Sequence, residues 1–201
     1  MRESKNEKVA VIYEAVLELL EEGVDLSELK VADIAARAGI GKGTVYDYFD
    51  SKEEILGKAL LHHSSVIISH LIKRLEMRQT FREKVFCCLD ELENRTKERI
   101  CITKYVRMLQ EQGTWKECFL KYVKREEIDK ADPMRVIEYL LESAQKEKII
   151  TAQCPMSYQK IMMLSKLFAF ILYVNKKDKI PDCDMQEMKQ YFYEGICKEL
   201  A

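Results

Sequence analysis

The stretch Ile34-Ala35-Ala36-Arg37-Ala38-Gly39-Ile40-Gly41-Lys42-Gly43-Thr44-Val45-Tyr46-Asp47-Tyr48-Phe49 constrains this chain more than any other. Its spacing predicts two short helices joined by a tight turn. Ile34, Ala35 and Ala38 supply the inner face of the first helix. Gly39 falls where the chain reverses, and a positive φ there costs glycine little. Val45, with Ile40 in the turn, is placed to close the angle between the helices. An ordinary helical hairpin in a core uses the same small-residue crossing, so spacing alone leaves both readings open.

The chemistry after the turn separates them. Lys42, Thr44, Tyr46 and Tyr48 can all bond to phosphate or to base edges, and they crowd into one short helix. Gly43 among them leaves room for close approach, while Val45 and Phe49 cover the inside. Ser51-Lys52-Glu53-Glu54 then opens a long helix with a capping box, Ser51 first and Glu54 three residues on. This is the pattern of a helix-turn-helix, whose second helix enters the major groove of DNA.

From Ile34 to Leu56 the sequence resembles the TetR family of one-component bacterial transcription regulators. The shared pattern is an Ile-Ala pair, an Ala-Gly turn, a Gly-Thr-hydrophobe-Tyr run, then Phe and Lys-Glu. The resemblance implies an all-α fold, with an N-terminal three-helix DNA-binding module over residues 1–56. A long helix then leads into a helical effector-binding and dimerisation domain over residues 57–201. It implies double-stranded operator DNA and a small-molecule effector as partners, and a homodimer formed through the last two helices. The residues expected at DNA are Lys30, Arg37, Lys42, Gly43, Thr44, Tyr46, Asp47, Tyr48 and Lys52. Lys42, in the first turn of the recognition helix, is chemically suited to guanine O6 or N7, and Asp47 to cytosine N4. Thr44, Tyr46, Tyr48 and Lys52 match family positions that grip phosphate. Two residues depart from the pattern: Lys30 stands where Thr or Ser is usual as a helix cap, and Gly41 where Ser is usual.

Charge weighs against tight non-specific binding. The 201 residues carry a net charge of −1, and that binding term comes from neutralised phosphates. The acids of the N-terminal module gather in the first helix (Glu14, Glu18, Glu21, Glu22) and in the loop after it (Asp25, Glu28), leaving Asp47 alone on the recognition helix. The seven cysteines are scattered without a Cys-x-x-Cys pair, so they read as small apolar side chains of a reducing compartment. His62 and His63 are neighbours on a helix and face apart, and His70 is two turns away. No metal and no cofactor are expected. Neither a signal peptide nor a membrane span is expected, and the expected location is cytoplasmic.

Along the chain, Ser4 and Glu7 suggest a capping box, followed by the stripe Val9, Ile12, Tyr13, Val16, Leu17, Leu19 and Leu20 as far as Gly23. Ser51 to about Leu75 reads as one helix. Further helices are expected at about Thr80–Lys97, Glu98–Gln112, Trp115–Asp129, Pro133–Lys148, Pro155–Asn175 and Asp184–Leu200. Lys148-Ile149-Ile150-Thr151 is too short to count as a strand. Helical spacing alone favours a packed core for Phe86, Tyr105, Met108, Trp115, Phe119, Tyr122, Tyr139 and Phe168; the family resemblance makes them candidates to line an effector pocket. The segment from Met156 to Val174 is apolar around most of its circumference, which marks a helix that is central or pressed on another chain. Met163, Leu167, Phe170, Ile171, Val174, Met188, Phe192 and Ile196 are the expected dimer contacts. A ligand-responsive repressor, not an enzyme, is the leading reading, because no nucleophile–base pair, glycine-rich phosphate loop or metal cluster is evident. The alternatives are a helical interaction module whose reading head has lost its function and, with less support, a helical enzyme.

Overall fold

Gly23 stops the first helix, α1 (Arg2–Glu21), by turning at φ 92°. The N–H groups of Gly23 and Val24 return to the carbonyls of Leu20 and Leu19, closing a left-handed cap that glycine adopts at least cost. The start lies earlier than expected: Ser4 is inside α1, so Ser4 and Glu7 do not form its cap. The computed structural model describes residues 2–25, 28–96, 124–150, 154–177 and 183–200, and among these every regular element is a helix. The expected helix over 98–112 and residues 115–123 of the one expected over 115–129 lie outside the described residues, and so do Cys101 and Cys118.

The next helices are α2 (Val31–Arg37), α3 (Lys42–Tyr46) and α4 (Lys52–Glu76). Gly39 takes φ 66° between α2 and α3, as the turn requires. Ser51 Oγ accepts from the Glu54 N–H at 3.1 Å, while the Glu54 carboxylate reaches back to the Asp50 N–H at 2.7 Å. Beyond them lie α5 (Phe81–Thr96), α6 (Arg125–Ala131), α7 (Met134–Lys146), α8 (Met156–Val174) and α9 (Met185–Leu200). Side-chain acceptors open α5, α7 and α9. Thr80 Oγ1 takes the Glu83 N–H at 3.2 Å and Glu83 takes the Thr80 N–H at 3.0 Å. Asp132 Oδ1 takes the Met134 N–H at 2.9 Å, and Asp184 Oδ1 the Gln186 N–H at 2.6 Å.

The described chain divides into two compact units, residues 2–66 with 124–131 and residues 67–96 with 132–200. One division thus falls inside α4, between Val66 and Ile67, without a loop. In the first unit Ile12, Val16, Leu19 and Leu20 of α1 pack on Leu29, on Val31, Ile34 and Ala35 of α2, and on Val45 and Phe49. Ile55, Leu56, Ala59 and Leu60 of α4 complete that core. Tyr13 rests between Phe49 and His62, with ring centres 5.9 and 5.4 Å away, and burial pushes its phenol up to about 12. Ala131 and Ile128 of α6 pack on Leu61, and the Ser64 hydroxyl donates to the Ala131 carbonyl at 2.9 Å.

In the second unit α5 packs on α7, α8 and α9, and α8 packs on α7 and α9. Phe81, Val85, Leu89, Ile137, Leu140, Leu141 and Phe170 are fully enclosed. Phe170 meets Phe192 edge-on at 5.2 Å, an arrangement that suits the quadrupoles of both rings. Lys189 of α9 is 2% exposed and bonds Asp90 at 2.6 Å and Glu93 at 2.8 Å on α5. By length and composition alone α4 is apolar enough to cross a membrane, contrary to the expectation of no such segment; Ile55, Leu56, Ala59 and Leu60 bury part of that apolar surface in the core.

Candidate nucleic-acid interface

The recognition helix α3 is held from behind. Val45 is fully buried and Phe49 nearly so, while Tyr48 packs half-buried against the same core. Lys42, Gly43, Tyr46 and Asp47 are exposed on the helix and its C-cap, and Thr44 is half-buried. Gly41 is the N-cap, with an extended φ of −69° and ψ of 145°. A Cβ added at Gly43 would meet nothing within 4 Å, and its φ is helical. The fold therefore does not demand glycine there.

Four other expected residues differ in how free they are. Lys30 caps α2, and its backbone N–H donates to Asp33 Oδ2 at 3.2 Å. A lysine side chain has no acceptor oxygen, so only that half of a capping box forms, and the exposed ammonium takes no part in it. Arg37 is committed within the chain: its guanidinium bonds Glu22, just past the end of α1, at 2.7 and 2.8 Å, and Glu18 of α1 at 3.2 Å. Those hydrogen bonds fix its charge further, and the bond from Arg37 holds the Glu22 carboxyl below its usual range. Lys52 opens α4 half-exposed beside Glu53 and Glu54. Lys42 makes no ion pair among the described residues, and its ammonium lies 6.0 Å from the centre of the Tyr46 ring.

The expected dimer contacts lie largely inside the chain. Met163, Leu167, Phe170, Ile171, Val174 and Ile196 are buried in the chain's own core, and Met188 and Phe192 are half-buried. The side chains left outside on α8 are Ile161, Leu164, Phe168 and Leu172, at 63, 43, 43 and 46% exposure, with Tyr191 at 56% on α9. Because α8 is apolar nearly all round, its sequence carries no polar face to mark the outside. Phe168, also a pocket candidate, is among the exposed side chains of α8. Of the other pocket candidates, Phe86 is half-buried against Tyr193 and beneath the Arg82 guanidinium, and Tyr139 lies 5.7 Å from the Lys84 ammonium. Tyr105, Met108, Trp115, Phe119 and Tyr122 lie outside the described residues. Among the described residues no three His, Cys, Asp or Glu side chains gather as a metal site, and Cys87, Cys88, Cys154, Cys183 and Cys197 form no disulfide.

With this geometry in place, comparison with known proteins is informative. Residues 12–59 match the family model of the bacterial regulatory proteins of the tetR family. An HTH-type transcriptional regulator of Staphylococcus aureus (strain MRSA252) is 45% identical over 42 residues, which is 21% of this chain and 22% of that protein. The chain thus spans about a fifth of the length of that curated relative. Among solved structures, the transcriptional regulator FadR from Bacillus subtilis, in complex with stearoyl-CoA, is similar with a TM-score of 0.66. Its identity is 15%, over 96% of this chain and 97% of that one. The FadR of Thermus thermophilus, a TetR-family transcriptional repressor in complex with lauroyl-CoA, gives a TM-score of 0.59 at 12% identity, over 94% of this chain and 91% of that one.

Proposed function

The chain carries the TetR-family segment on the fold of TetR-family regulators, and on that premise we propose that it is a homodimeric, ligand-responsive transcriptional repressor. The observation that carries the reading is the division at α3: Val45 holds the core, while the side chains of Lys42, Tyr46 and Asp47, with Gly43, stand exposed. Two such helices sit in successive major grooves of a pseudo-palindromic operator, roughly 34–36 Å apart. Lys42 reads bases, and Thr44, Tyr48, Lys52 and Lys30 grip the phosphates. Arg37 contributes by fastening α2 to α1. The second copy packs on the outer stripe Ile161, Leu164, Phe168 and Leu172 of α8, whose exposed apolar side chains a lone chain would leave in water.

The effector belongs in the helical domain that follows the reading head. Acyl-CoA thioesters, the compound class held by the B. subtilis and T. thermophilus FadR structures, are the first to test. Release requires only that the effector favour a state whose two heads are wrongly spaced. The protein works in the cytoplasm and catalyses no reaction. Selection of duplexes from a random pool by the full chain tests the reading. A recovered inverted repeat, bound as a dimer, supports it; recovery of no sequence preference contradicts it.

A further inference from the structure

We infer that Tyr46 is a positioning residue for sequence recognition: its ring, not its hydroxyl, holds the Lys42 ammonium in the direction from which it reads a base. The inference rests on the DNA-binding reading above and assigns Tyr46 a task different from the phosphate grip its family position suggests. Lys42 and Tyr46 are four residues apart on α3, so their side chains share one face. A long side chain on a helix leans toward the N-terminus, which carries the Tyr46 ring back over the turn where Lys42 starts. The ammonium lies 6.0 Å from the ring centre, at the outer reach of a cation–π contact. Lys42 makes no ion pair among the described residues. Gly43, next to Lys42, places no side chain in the way.

A lysine is a flexible point charge with many rotamers, and it discriminates bases poorly unless something restricts it. The Tyr46 ring does this at small desolvation cost, because the ring is itself 46% exposed. Restriction favours the one acceptor pair aligned with the ammonium over phosphates to either side. Guanine, with O6 and N7 together on its major-groove edge, is the base that fits.

The experiment compares the full chain with Tyr46→Phe, Tyr46→Leu, Lys42→Met and the double variant Lys42→Met/Tyr46→Leu, each checked for an unchanged helical spectrum. Affinities are measured at fixed salt for the selected duplex and for duplexes altered at the base pair that Lys42→Met ceases to discriminate. Tyr46→Phe keeps the discrimination, Tyr46→Leu lowers it about two- to fivefold, and the double variant discriminates no worse than Lys42→Met alone. If Tyr46→Phe is as damaging as Tyr46→Leu, or if Tyr46→Leu weakens all duplexes alike, the hydroxyl is the working group and the inference is overturned. A measurement without DNA separates this from failure of the underlying reading. The ring shifts the Lys42 ε-methylene proton resonances upfield in wild type and in Tyr46→Phe, and not in Tyr46→Leu. Absence of that shift in wild type overturns the pairing whatever the DNA result. Its presence in a chain that shows no sequence preference overturns the DNA-binding reading instead, and with it the recognition role of the pair.

Discussion

Arg37 closes on Glu22 through two parallel hydrogen bonds of 2.7 and 2.8 Å, and a third bond of 3.2 Å from the same guanidinium reaches Glu18 one turn away on α1. The acidic side of α1, which weighs against DNA binding when charges are merely counted, here fixes the first helix of the reading pair. Arg37→Met should therefore lower the melting temperature while leaving the salt dependence of operator binding unchanged. Lys52→Ala should do the reverse, flattening the slope by about one unit or less. A slope change as large for Arg37→Met would place this guanidinium on a phosphate.

The same bond predicts a pH effect. Hydrogen bonding from Arg37 depresses the Glu22 carboxyl in the folded chain. Its contribution is thus present above the unfolded value, about 4.3 for glutamate, and is lost as pH falls through the lower folded value. Thermal melts of wild type and Arg37→Met should differ at pH 7 and converge toward pH about 3. A gap that stayed constant over that range would remove the ion pair as the cause.

Gly43→Ala should separate stability from function. The added methyl meets no atom within 4 Å, so the helix gains up to about 0.5–1 kcal/mol from reduced chain entropy. Operator affinity should fall all the same, because the methyl occupies the space a DNA backbone or base would enter. Melting and gel shift on one preparation check both, and an unchanged affinity would show that nothing approaches this position closely.

The outer stripe of α8 makes opposite predictions for two nearby phenylalanines. Phe168→Glu, at an exposed site, should leave a folded chain that is largely monomeric and weak on DNA, since burying a carboxylate in a dry interface costs several kcal/mol. Phe170→Ala, at a site with no exposure, should cost about 3–5 kcal/mol of stability instead. Light scattering and denaturant melts distinguish the two effects, and an unchanged dimer for Phe168→Glu would move the interface elsewhere.

These two residues also show what the sequence can and cannot carry. The reading head is legible because its constraints are local: a left-handed Gly39, a buried Val45 and a box from Ser51 to Glu54 each follow from neighbours within four residues. The outward face of α8 is not. Met163, Leu167, Phe170 and Val174 form one helical stripe, and Ile161, Leu164, Phe168 and Leu172 form another of equal apolar character. Only the packing of α5, α7 and α9 decides which of the two turns inward. The Arg37 fork is hidden for the same reason, because its partners are 15 and 19 residues away. The box at Ser4 has the right residues but lies inside a helix that begins before it.

Lys189 supplies a prediction within the second unit. Its burial lowers the ammonium's pKa, but hydrogen bonds to Asp90 and Glu93 outweigh that and leave it raised. Its contribution is therefore complete below the unfolded value of about 10.4 and is lost only as pH rises through the folded one. Lys189→Met should cost about 1–3 kcal/mol at pH 7, less than for a fully buried pair because Asp90 is half-exposed. Adding Glu93→Gln should return part of the loss; no recovery would mean that the lysine stem, not its charge, does the packing.

The central claim is that one molecule couples an operator to an effector, and linkage tests it directly. Operator affinity is measured with and without a long-chain acyl-CoA, and acyl-CoA affinity with and without operator, on the same full-length chain. The account predicts that each ligand weakens the other by the same factor, roughly 5- to 150-fold for coupling of ordinary size. Tight acyl-CoA binding that leaves operator affinity unchanged would contradict acyl-CoA as the effector, and operator affinity that no effector class shifts would contradict the regulator itself.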